Sequence, residues 1–185
     1  MLIWPPKERL NLSKHEINTM SEFQQPSRPI NAGTRIGHVH LKVADIERAL
    51  GFWRDVLGFE ITQQREGAVF LSAGGYHHHI ALNTWESKGG SPPPKEATGL
   101  YHVAILYPDR AALADALRRV QAAGIKLDGA SDHGVSEALY LRDFDGNGVE
   151  LYRDRPKEEW PRTAGGTLNM ITKRLDLDAL LAEGR

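Results

Sequence analysis

The strongest constraint on the fold is an internal repeat. "IGHVHLKVADIERALGFWRDVLGFEI", from Ile36, and "LYHVAILYPDRAALADALRRVQAAGIKL", from Leu100, each open on a His-Val pair and reach an aspartate seven residues after the histidine. A chain repeated in this way has to solve its fold only once, because two copies of one supersecondary unit share a core. Asp45 and Asp109 stand where helix N-caps are expected. After Asp45, Ile46, Ala49, Leu50, Trp53 and Val56 fall on one helical face, and after Asp109, Leu113, Ala116, Leu117 and Val120 do the same. Gly58 and Gly124 supply the stops. Short strand-like runs follow in each half, "GAVFLSA" and "HHHIALN" in the first, "EALYLRD" and "GVELYRD" in the second.

The repeat divides the chain. Residues 1–34 are polar and irregular and read as a peripheral N-terminal extension. A domain spans 35–155, with module one at 35–87, a proline- and glycine-rich linker at 88–99 and module two at 100–155. Residues 156–185 form a C-terminal extension in which "LDLDALLAEG" reads as a short amphipathic helix on the outside or on a partner.

Alternation along strands assigns faces. Val39, Leu41, Val43, Val103, Ile105, Leu139, Leu141, Val149 and Leu151 form the rows that helices would cover. His38, His40, His102, Tyr140 and Glu150 are left on the opposite face. In "GYHHHIALNTW", Gly75 to Trp85, the same parity puts His77, His79 and Asn83 with that group and turns His78 toward Ile80 and Leu82. A solvated strand edge is the competing reading of this histidine run.

A face carrying His38, His79, His102, Tyr140 and Glu150 packs poorly unless its groups are paired or bound to a metal. The chain has no cysteine, which excludes disulfides and thiolate ligands and leaves imidazole, carboxylate or backbone oxygen as donors. Two neutral imidazoles and one carboxylate make the facial triad of non-haem Fe(II) sites, with positions open for substrate and dioxygen. A net charge of −1 gives no reason to expect nucleic acid or an anionic membrane. No apolar run approaches a bilayer span, and "MLIWPPKERL" lacks a signal-peptide core, so a cytoplasmic protein is expected.

"GHVHLKVADIERALGFWRDVLGFE", "YHHHIALNTW", "HVAI" and "SEALYLRDFDGNGVELY" together resemble the vicinal oxygen chelate superfamily, the glyoxalase, bleomycin-resistance and extradiol dioxygenase group. Within it the chain is most similar to the small single-domain catechol 2,3-dioxygenase branch. The resemblance implies an α+β fold: paired βαβββ modules forming a cupped mixed sheet around one metal site, with helices on the outer face. It places the metal ligands at His38, His102 and Glu150. It also gives Tyr140 and His79 catalytic roles, Tyr140 orienting the bound diol and His79 moving protons. His133 matches a histidine near the substrate, and His77, His40 and Asn83 share the pocket face.

The activity implied is extradiol cleavage of a catechol-like vicinal diol by dioxygen, with Fe(II), or Mn(II) in its place, in a homodimer. Aligning Phe70 with Tyr140 leaves a second possibility, because it brings His79 close to the place of Glu150. His79 would then be a fourth ligand, and the resemblance would be to the glyoxalase I isomerases or metal-dependent lyases, which tolerate Zn(II) or Ni(II). A non-catalytic small-molecule-binding member is the third reading, and the complete ligand set counts against it.

Overall fold

The computed structural model describes residues 28–184. They fall into two units, residues 28–36 and 37–184. The first is exposed and holds one turn, in which the Thr34 amide donates to Asn31 O at 2.9 Å. Most of the expected 1–34 extension lies outside the described residues. Among those described, no helix is long and apolar enough to cross a membrane.

Both repeats fold as βαβββ units with one strand order. The first runs β1 (Val39–Lys42), α1 (Ile46–Leu50), β2 (Glu60–Arg65), β3 (Ala68–Ser72) and β4 (Ile80–Asn83), arranged β1-β4-β3-β2. The second runs β5 (Val103–Leu106), α2 (Arg110–Ala122), β6 (Gly129–Asp132), β7 (Ser136–Arg142) and β8 (Gly148–Asp154), arranged β5-β8-β7-β6. A two-residue strand, β9 (Lys173–Arg174), extends the second sheet beyond β6. In each unit the first and last strands pair in parallel and the hairpins are antiparallel. Parallel partners need a long crossover, which the helix and the two intervening strands provide. The α+β class and mixed sheets are as the sequence implies. Each module contributes its own mixed sheet, with β1 and β5 each at an edge.

The caps follow the sequence. The Asp45 carboxylate accepts from Arg48 N at 2.7 Å and the Asp109 carboxylate from Ala112 N at 2.8 Å. Past α1 the chain widens into a π-helical stretch, Gly51–Val56. A wider turn carries more residues to one face, so Phe52 joins Trp53 and Val56 in the core, beyond what a 3.6-residue period predicts. α1 and α2 contribute to one hydrophobic cluster with the covered rows of both sheets.

Module two reaches module one through the β7–β8 turn. Asp145 Oδ1 accepts from Ala44 N at 2.9 Å and pairs with Arg48, and the Phe144 ring packs on Phe52 at 5.8 Å. The 88–99 segment contains no helix or strand. The C-terminal segment, read from the sequence as an extension, is part of the second unit: it supplies β9, and α3 (Leu177–Leu181) packs along α2 with Leu175 and Leu180 in the core.

Candidate metal centre

The site in module two is built by strand register. β5 and β8 lie parallel with Ala104 beside Glu150, which puts His102 next to Gly148. A Cβ on Gly148 would sit 2.0 Å from Tyr101 O, so a glycine is required for the strands to approach here. His102 Nε2 thereby comes within 2.9 Å of Glu150 Oε2, with the side chains 31% and 13% exposed. Tyr140 is the register partner of Glu150 across β7 and β8, and its hydroxyl donates to Glu150 Oε1 at 3.1 Å. Burial, with the Glu150 charge beside it, pushes the Tyr140 phenol up to about 12, which keeps it a donor at neutral pH. His133, at the β6–β7 turn, brings Nε2 to 2.8 Å from the Tyr140 hydroxyl. The four side chains therefore form one hydrogen-bonded row, His133, Tyr140, Glu150 and His102. His102 Nδ1 is buried with no hydrogen-bond partner among the described residues.

Module one gathers the other histidines. His38 enters β1 exposed, and its ring lies 4.4 Å from that of His78. His79 N donates to Leu71 O at 2.8 Å and His79 O accepts from Val39 N at 3.0 Å, and its Nδ1 lies 3.1 Å from Ser72 Oγ. Asn83 accepts from Trp85 N through Oδ1 and so offers its amide nitrogen to His40 Nε2 at 2.9 Å. His77 Nδ1 meets His78 Nδ1 at 2.7 Å.

One expectation for the triplet is overturned. His78 does not turn toward Ile80 and Leu82; it packs between His38 and Phe70, 5.2 Å from the latter ring. The reason is local: β4 begins only at Ile80, so alternation does not extend through the turn that holds His77 and His78. Burial, reinforced by the surrounding imidazoles, holds His78 below the ordinary histidine value.

Register also answers the symmetry question about His79. His40 pairs with Ala81 and Ala104 with Glu150, while Phe70 pairs with Ala81 and Tyr140 with Glu150. The repeat equivalent of Glu150 is therefore Ala81, and His79 corresponds to Gly148. Internal symmetry gives no reason to make His79 a fourth ligand.

Two of the three expected ligands, His102 and Glu150, are brought together, and no hydrogen bond, ion pair or ring contact joins either to His38. Among the described residues no three His, Asp or Glu side chains form a metal-binding group. Sequence reasoning missed the part played by Gly148, by His78 and by Ile171, whose carbonyl lies 3.1 Å from His133 Nδ1. A glycine at the first position of a paired strand was the only readable sign among the three.

The chain belongs to the Glyoxalase/Bleomycin resistance protein/Dioxygenase superfamily, whose family model matches residues 35–151. It is 42% identical over 154 residues to the catechol-2,3-dioxygenase of Bacillus subtilis, a match covering 83% of this chain and 53% of that protein. It is 34% identical over 121 residues to biphenyl-2,3-diol 1,2-dioxygenase 3 of Rhodococcus globerulus, covering 65% of this chain and 63% of that one. The chain thus spans 53% and 63% of the length of these two relatives. Among solved structures, a glyoxalase/dioxygenase from Nostoc punctiforme matches with a TM-score of 0.56 at 17% identity, over 71% of this chain and 100% of that one. A lactoylglutathione lyase from Agrobacterium tumefaciens matches at 0.52 and 24% identity, over 66% and 96%. These structures share the fold.

Proposed function

We propose that the chain is an extradiol-type dioxygenase that opens a catechol-like vicinal diol with Fe(II) and dioxygen. The observation that carries this reading is the His102–Glu150 pair with the Tyr140 phenol on the same carboxylate, in a chain 42% identical over 154 residues to a catechol-2,3-dioxygenase. One imidazole and one carboxylate are donor types that Fe(II) and Mn(II) accept, and the orphaned His102 Nδ1 marks an imidazole that protein contacts alone do not satisfy.

In this reading the third ligand is His38 of the partner subunit in a homodimer. The support is that β1 and β5 are edge strands, and that β5 exposes apolar surface on the face of His102: Leu106 is 55% exposed and neighbouring Tyr101 84%. A mixing experiment tests it. His38→Ala and His102→Ala protomers are each expected to bind little metal alone. Random re-association should restore about a quarter of the sites, since half the dimers are mixed and each holds one intact set. No restoration would contradict a shared site.

When bound, the metal supplies Lewis acidity to the two diol oxygens and a path for electrons to dioxygen. Tyr140, protonated at neutral pH, donates a hydrogen bond that orients the diol. His79, tethered at Nδ1 by Ser72, presents Nε2 to give or take a proton on the reacting oxygen. Phe70, His40 and Trp85 flank the substrate ring; the His40 ring lies 6.3 Å from Phe70 and 5.4 Å from Trp85. His79→Ala is expected to keep metal and diol binding while oxygen uptake falls by roughly two orders of magnitude. Tyr140→Phe should lower turnover without loss of metal. Loss of metal on His79→Ala with Tyr140→Phe fully active would instead favour a four-ligand isomerase.

A further inference from the structure

We propose that the C-terminal strap around Ile171 is a positioning element that holds His133 in its Nδ1–H tautomer and so makes Nε2 the acceptor for the Tyr140 phenol. Its catalytic consequence rests on the dioxygenase reading; the tautomer itself does not.

The argument is an inventory of protons. Ile171 O lies 3.1 Å from His133 Nδ1, and a backbone carbonyl can only accept, so Nδ1 carries the hydrogen. A neutral imidazole has one such hydrogen, which leaves Nε2 bare. The 2.8 Å contact between Nε2 and the Tyr140 hydroxyl therefore has the phenol as donor. That phenol has one proton and two acceptors in reach, His133 Nε2 and, at 3.1 Å, Glu150 Oε1. With the strap in place, the phenol proton is shared between the two acceptors, with the shorter contact to His133, so its bond to Glu150 is weakened and the carboxylate is left more available to a cation. With the tautomer reversed, Nε2–H would donate to the phenol oxygen and turn the phenol hydrogen bond wholly toward Glu150 Oε1.

The strap is built to hold this position. Ile171 N donates back to His133 O at 3.1 Å, Ser131 and Asp132 pair with Arg174 and Lys173, and Leu175 N reaches Ala130 O at 3.3 Å. Leu175 and Leu180 anchor the segment in the core. Its docking depends on Gly134, whose φ is +74°: a Cβ there would lie 2.8 Å from Pro161 Cγ and 3.1 Å from Ile171 Cγ1. Thr172 is the one competitor for the role, because its hydroxyl, 3.2 Å from Nδ1, could donate as well as accept.

Nitrogen-15 spectra of the histidine side chains in the metal-free full-length protein test the proposal, with the His133 signal assigned by its loss in His133→Gln. Wild type should show a protonated Nδ1 and a bare Nε2. Thr172→Val should leave this pattern and turnover unchanged. Gly134→Ala, which displaces the strap, should give mixed tautomers and a kcat about tenfold lower with KM changed less than about threefold. A protonated Nε2 in wild type, or a reversal on Thr172→Val, would overturn the proposal, and both results stand even if Gly134→Ala does not fold. A reversed tautomer in an active dioxygenase would remove the strap's role alone. Absence of oxygen uptake with every diol would remove the dioxygenase reading and leave the tautomer result standing.

Discussion

Glu150→Ala is expected to abolish stoichiometric binding of Fe(II) or Mn(II). The carboxylate supplies the negative charge beside His102 and is held from two sides, by His102 Nε2 at 2.9 Å and the Tyr140 hydroxyl at 3.1 Å. Outer-sphere substitutions at metal sites weaken binding by about 10- to 100-fold, and loss of a charged ligand should exceed that range. Glu150→Gln separates charge from shape, since it keeps the volume and one acceptor oxygen; it should also fail to hold metal, while its melting temperature stays near that of wild type. His102→Ala should behave like Glu150→Ala. His78→Ala removes the ring that packs between His38 and Phe70 and should retain metal at reduced affinity. Metal analysis after reconstitution and desalting reads all four variants. Full metal content in both Glu150→Ala and His102→Ala would remove the assignment.

The second large effect is on stability. Glu137 is 4% exposed and lies among three guanidinium groups: Arg110 Nε at 3.0 Å, Arg153 Nη2 at 2.8 Å and Arg155 Nη2 at 3.2 Å. Arg155 also pairs with Asp132, and Arg110 with Glu183 beyond α3, so this carboxylate ties β7, β8, α2 and the C-terminal helix together. Removing one partner of a buried ion pair costs about 3–5 kcal/mol, because the remaining charges stay desolvated and repel one another. For a chain of this size, Glu137→Ala should lower Tm by roughly 10 °C or more. Glu137→Gln should lie between, since it keeps the volume and one acceptor oxygen but not the charge. Thermal unfolding of the metal-free protein measures both, and a shift within about 2 °C for Glu137→Ala would contradict the role given to this cluster.

How much was legible depended on how local each signal was. The aspartate caps, the covered rows from Val39 to Leu151 and the placing of Tyr140 and Glu150 on one face all follow from periodicity within one element, and the structure keeps them. The π-helical stretch was hidden because Trp53 and Val56 already satisfy an ordinary helical face, and only Phe52 departs from it. His78 was misplaced because alternation was extended across a turn, which has no fixed period. The contact between Ile171 and His133 crosses 38 residues and runs through a backbone carbonyl, which has no side-chain identity to read. Where His38 sits relative to His102 depends on how the modules meet, through contacts such as Asp145 with Ala44 and Arg48, which periodicity within one element does not encode.

Oxygen consumption by the ferrous-reconstituted protein, measured across a panel of catechols while following the diol and hydrogen peroxide, tests the central claim most directly. Extradiol cleavage breaks the ring C–C bond beside the diol and places both atoms of dioxygen in the muconic semialdehyde-type product, with no external reductant. The account predicts uptake of one dioxygen per diol consumed, no peroxide, and no uptake after Zn(II) replaces Fe(II). Absence of uptake with every diol, together with isomerase activity in the Zn(II)- or Ni(II)-loaded protein, would contradict it.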